Sequence, residues 1–120
     1  MAIIASCFYL SIYIFLLFFY VMIKHVVLFK LKPFETESAK SAKMDQIRMA
    51  LLNLKNIISE IDTMEVGINA NPKEAFDIVL ISTHRSWADL AVYDQHPVHV
   101  NVKKIIKEVL DSRSAADFEF

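Results

Sequence analysis

Ile23-Lys24-His25-Val26-Val27-Leu28-Phe29-Lys30-Leu31-Lys32, closed by Pro33, is rich in β-forming residues and alternates along its length, which predicts a strand. Ile23, His25, Val27, Phe29 and Leu31 share one face, apolar except for the histidine, while Lys24, Val26, Leu28, Lys30 and Lys32 share the other. The first is a core face, so His25 brings into the core a ring that needs a hydrogen-bond partner. A bond to backbone would make it structural; a place on a cavity wall would make it functional.

C-terminal to this strand, Thr36 or Ser38 caps a helix running to about Ile61, with Met44, Ile47, Leu51, Leu54, Ile58 and Ile61 at spacings of three and four as its core stripe. Met64, Val66, Ile68 and Ala70 alternate with polar residues and glycine as a second strand, and Asn71-Pro72-Lys73 turns the chain. The third strand, Phe76 to Thr83, is apolar on both faces at its centre, Ile78-Val79-Leu80-Ile81. A small antiparallel sheet with helices on one face normally leaves the other polar, yet here Val26, Leu28 and one set from the third strand are apolar. A second copy of the chain, packing sheet against sheet, is the expected cover.

Ser86-Trp87-Ala88-Asp89 opens a short helix with a capping-box-like start, in which Trp87 reads first as core filling. Next comes Tyr93-Asp94-Gln95-His96-Pro97-Val98-His99, holding half of the chain's four histidines. Pro97 has no N–H and a fixed φ, so it belongs at the first position of a helix and makes His96 the cap. His99 falls in the first turn, where the positive end of the helix dipole favours the neutral imidazole, which can accept a proton. Val98, Val102, Ile105, Ile106 and Val109 follow at helical spacing, with Lys103, Lys104 and Lys107 expected on the exposed side. Ala116, Phe118 and Phe120 alternate as a closing strand. The order is β-α-β-β-α-β with the second helical part split in two, an α+β ferredoxin-like arrangement with a four-stranded antiparallel sheet.

A length of 120 residues allows one modest core, and 13 Lys+Arg against 14 Asp+Glu lack the basic excess of a nucleic-acid binder. One cysteine forms no internal disulfide. The pair His96 and His99 has i, i+3 spacing, but zinc needs three or four protein ligands and Cys7 lies far off. Gly-rich phosphate loops are absent too, so neither metal nor cofactor is expected. Residues 1–21 contain only Ser6 and Ser11 outside the apolar set. They form a leader, either an upstream extension of a reading frame that starts at Met22 or a membrane anchor, with residues 22–120 as the domain. The first alternative implies a cytoplasmic protein, the second a membrane-anchored one.

Met22-Ile23-Lys24-His25-Val26-Val27-Leu28-Phe29-Lys30-Leu31-Lys32-Pro33, then Glu65-Val66-Gly67-Ile68-Asn69, then Tyr93-x-x-His96-Pro97-x-His99 resemble the stress-responsive α/β-barrel (Dabb) domains over residues 22–120. The resemblance implies a homodimer whose two sheets form one barrel. Olivetolic acid cyclase, a plant polyketide cyclase of this fold, uses a strand-one His, a helix Tyr and the second His of HPxH. These match His25, Tyr93 and His99, the candidate catalytic residues, with Phe29, Trp87 and His96 as candidate substrate contacts. Family members often have Tyr-Asp-His where this chain has Phe76-Asp77-Ile78, which leaves pocket shape and substrate open. Two functions follow as expectations: a homodimeric module with a His/Tyr-lined pocket for a small apolar or carbonyl-containing ligand, or an enzyme abstracting a proton next to a carbonyl.

Overall fold

The computed structural model describes residues 2–19 and 21–120. Ala2–Phe19 forms α1, with Phe8, Tyr9, Leu10, Tyr13 and Ile14 exposed on it. No helix among the described residues is long and apolar enough to cross a membrane. The membrane-anchor alternative concerns residues 1–21, of which Met1 and Tyr20 lie outside the described residues.

The remaining elements are β1 (Ile23–Leu31), α2 (Glu37–Ile57), β2 (Thr63–Ile68), β3 (Ile78–His84), α3 (Trp87–Gln95), α4 (Pro97–Val109) and β4 (Leu110–Glu119). The sheet order is β2-β3-β1-β4 with antiparallel neighbours throughout, the ferredoxin-like α+β arrangement. Chain-adjacent polar groups start the helices as expected. The Thr36 hydroxyl accepts from the Ala39 N–H, the Ser86 hydroxyl from the Asp89 N–H, and the His96 ring from the Val98 N–H, with Pro97 opening α4.

Four boundaries differ from expectation, the first being that β3 runs Ile78–His84 rather than Phe76 to Thr83. Helix α2 ends at Ile57, because Ile58 is extended and ends the helical geometry, although Ile58 and Ile61 are still buried. Strand β2 stops at Ile68, where the Asn69 side chain accepts from the Asn71 N–H and donates to the Asn71 and Glu74 carbonyls, turning the chain before Ala70. Strand β4 begins at Leu110 rather than near Ala116, directly after α4. Its first half has weak β propensity and is extended by pairing with β1, a tertiary override. The β1–β4 register slips between Lys30 and Leu31: Leu31 lies opposite Leu110 and Lys30 opposite Ser112, so Asp111 is an extra, bulged residue.

The core lies between the sheet's inner face and the helices. Ile23, Val27, Phe29 and Leu31 of β1, Ile78 and Leu80 of β3, Val66 of β2, Ile47, Leu51 and Leu54 of α2, and Val102 and Ile106 of α4 are buried together. On the outer face Val26 is opposite Ile81 and Ala116, and Leu28 is opposite Val79 and Ser114. None of these is fully buried.

Candidate functional site

The two central strands and the edge strand β4 bring a polar group to one end of the inner face. His25 lies opposite Ser82 on β3 and Asp117 on β4, and Ile23 lies opposite His84. The His25 Nδ1–H donates to the Asp117 carboxylate, leaving Nε2 as the ring nitrogen open to a ligand. His84 is fully buried; its Nδ1–H donates to the Glu60 carbonyl at 2.9 Å, which leaves Nε2 to accept from the Ser82 hydroxyl, also at 2.9 Å. Burial is the main cause that lowers the His84 pKa from its ordinary value.

Helices α3 and α4 close over this end. Tyr93 is buried near the end of α3, and its ring stacks on His99 with centroids 4.1 Å apart and planes 16° apart. The other neighbours of the phenol ring are His84 at 5.0 Å and His25 at 6.0 Å. The His99 Nδ1–H donates to the Tyr93 carbonyl at 3.0 Å, so Nε2 keeps its lone pair. Burial, and after it the nearby Lys103 ammonium, pushes the His99 imidazole down to about 4. The expected neutral state therefore holds, but desolvation rather than the helix dipole is its leading cause. Burial, followed by Asp94, raises the Tyr93 pKa, so the phenol stays a hydrogen-bond donor. Its hydroxyl has no hydrogen bond among the described residues, where no buried side-chain N or O lacks a partner, so it must reach open space.

That space is a cavity of about 550 Å³. His25, Tyr93 and His99 line it together with apolar residues including Val27, Phe29, Leu51, Leu80 and Ile106. Of the six residues singled out in the sequence, four share this cavity: His25, Phe29, Tyr93 and His99. Trp87 and His96 are not among its lining residues. Trp87 is half-exposed and its indole N–H donates to Glu119 Oε1 at 2.8 Å, while His96 spends Nδ1 on the Val98 N–H at 3.2 Å.

Several lining groups escaped the sequence argument. Lys103 and Lys107 are exposed, as expected for that side of α4, and also stand on the cavity wall, to which β4 contributes Arg113. The signal was present: Lys103 and Lys107 lie four and eight residues after His99, on the same helical face. Lys103 donates to Asp94 Oδ1 at 2.5 Å, and this bond holds the Asp94 carboxyl below its ordinary range. The partnership of Asp117 with His25 spans 92 residues and had no local signal. Among the described residues, no group of three His, Cys, Asp or Glu side chains is placed to hold a metal ion.

Comparison with known proteins places this geometry in a family. The model of the Stress responsive A/B Barrel Domain (Dabb) matches residues 23–120. The Stress-response A/B barrel domain-containing protein DABB1 of Arabidopsis thaliana is 31% identical over 97 residues, covering 81% of this chain and 46% of that protein. The chain thus spans about half the length of that curated relative. A dimeric protein of unknown function and ferredoxin-like fold from Bacteroides fragilis superposes with a TM-score of 0.78 at 39% identity, over 82% of this chain and 96% of that one. Hydroxynitrile lyase from Passiflora edulis superposes with a TM-score of 0.70 over 82% of this chain and 93% of that one; at 20% identity the likeness is one of fold. The chain belongs to the stress-responsive A/B barrel (Dabb) domain family, through residues 23–120.

Proposed function

We propose that the chain is a homodimeric module, formed by residues 22–120, that holds a small apolar or carbonyl-containing molecule between its inner sheet face and its helices. The observation carrying this reading is the convergence of His25, Tyr93 and His99 on a single cavity of about 550 Å³, within the size range of small-molecule sites. The homodimer is supported by the half-covered apolar outer face and by the dimeric state of the Bacteroides fragilis relative. In this reading residues 1–21 are a leader outside the domain and the protein is cytoplasmic; a natural product whose intact mass begins at Met22 is the expected result, and one retaining Met1 overturns it. Titrating methyl nonyl ketone into the full chain, followed by NMR, is expected to shift His25, Tyr93 and His99 while leaving the region around Glu65 and Gly67 unmoved. A spectrum that does not change overturns the ligand reading.

A second reading, proton abstraction next to a carbonyl, is favoured by the tautomer of His99. With Nδ1–H tied to the Tyr93 carbonyl, Nε2 is a neutral base inside the cavity. The Tyr93 hydroxyl would stabilise the resulting enolate as a neutral donor, and His25, oriented by Asp117, would position the carbonyl or return the proton. Deuterium exchange at the carbon next to the carbonyl of methyl nonyl ketone tests this chemistry directly. His99→Ala is expected to slow the exchange by about 10²–10⁴-fold, and exchange no faster than in buffer alone overturns the reading.

A further inference from the structure

The cavity has two chemically different ends. At one, the Tyr93 ring stacks on His99 and neighbours His25 and the buried His84, and His25 bonds the Asp117 carboxylate. At the other stand Lys107 and Arg113, both exposed, with Lys103 between the two ends already engaged by Asp94. Among the described residues, neither Lys107 nor Arg113 has a carboxylate within ion-pairing distance. The lining thus carries three fixed cations against one carboxylate, on a chain whose formal net charge is -1. A local excess of this kind in a cavity with apolar walls draws anions.

Two rulers give the separation of the ends. Arg113 and Asp117 lie four residues apart on β4, about 13 Å at the rise of a strand. His99 and Lys107 lie eight residues apart on α4, about 12 Å at the rise of a helix. Val27, Phe29, Leu51, Leu80 and Ile106 line the cavity as well, and their side chains carry no hydrogen-bonding group. Arg113 lies opposite Phe29 in the β1–β4 register, so its guanidinium belongs to the end remote from His25.

We propose that Arg113 and Lys107 form a carboxylate subsite, and that the cavity takes a medium-chain carboxylic acid whose far end, a carbonyl in the complete ligand, reaches His25, Tyr93 and His99. This rests on the reading of the cavity as a ligand site. The guanidinium suits a carboxylate because its N–H groups match both oxygens, and Lys107 adds a point charge. The apolar stretch between the ends requires an unbranched or lightly substituted chain as the spacer.

Decanoate and decanamide, equal in chain length and different in charge, separate the two levels of the argument. NMR titration of the full chain is followed at Tyr93 and His99. Decanoate is expected to bind at least about tenfold more tightly than decanamide at low salt, with the preference shrinking as salt is raised. In the double variant Arg113→Gln, Lys107→Gln, the preference is expected to vanish while decanamide binds as before; both positions are exposed, so the fold is kept. Equal binding of the two probes, or a preference that survives in the double variant, overturns the subsite and leaves the ligand reading standing. Failure of both probes to bind overturns the subsite and the ligand reading together.

Discussion

The two faces of the sheet use the same strands and meet different surroundings. On β1, Ile23, Val27, Phe29 and Leu31 are buried under the helices, while Lys24, Val26, Leu28 and Lys30, interleaved with them, keep part of their surface. The space between the inner face and the helices also holds the polar groups of the candidate site, and its imidazoles are each bonded: His25 to Asp117, His84 to Ser82 and the Glu60 carbonyl, His99 to the Tyr93 carbonyl. On the outer face, aliphatic pairs such as Val26 with Ile81 are only half-buried among the described residues. The difference teaches that the inner face is a finished surface that tolerates polarity, whereas the outer face is an apolar surface in need of a partner.

The strongest challenge to this contrast is at Ile23, fully buried on the inner face. Ile23→Ala is expected to cost about 2–5 kcal/mol in urea denaturation, since the packed surroundings relax only in part. A loss well below that range would mean the inner face is not the packed one.

Acid should act on the inner face too. The unfolded chain takes up a proton on His99 near its ordinary value of 6.5, and the folded chain only near about 4. Between these values the unfolded state binds more protons, so the stability is whole above the upper value and is lost as pH falls toward the lower. The shift corresponds to about 3 kcal/mol. His84, also lowered by burial, acts in the same direction. Chemical denaturation across this window should show the loss, and His99→Gln should remove most of it; a flat profile in the parent chain would contradict the buried neutral ring.

The smallest effect per subunit is expected at the outer face. Val26→Asp should change the stability of an isolated subunit by roughly 0.5 kcal/mol, as at an ordinary surface position. Its visible consequence is instead assembly, with light scattering expected to give the mass of one chain where the parent gives two. An unchanged mass would mean that some other surface joins the subunits.

Local patterns carried most of the fold. The alternation of β1, the caps at Thr36, Ser86 and His96, and Pro97 at the head of α4 are all short-range features, and they appear as read. Strand β4 was half legible, because Asp111-Ser112-Arg113-Ser114 has no alternation and becomes a strand only beside β1. In the site, the residues on β1 and around Pro97 could be picked out from their own neighbourhoods. Asp117 and Arg113 could not, since their relevance comes from register across the sheet. Lys103 and Lys107 are exposed as read, and their second place on the cavity wall was masked by that exposure, because a long side chain can serve water and a cavity wall at once.

The bulge at Asp111 sets the phase of everything after it. Counting straight on from Leu110, which faces inward beside Leu31, would place Ser112, Ser114 and Ala116 toward the helices and turn Arg113 and Asp117 outward. The one supernumerary residue inverts that order, so a guanidinium and a carboxylate arrive where histidine and ligand can use them. Deleting Asp111 would therefore leave Leu110, Arg113 and Asp117 on one face in unbroken alternation, whereas pairing Asp111 into the ladder would turn the guanidinium and the carboxylate away from the hollow.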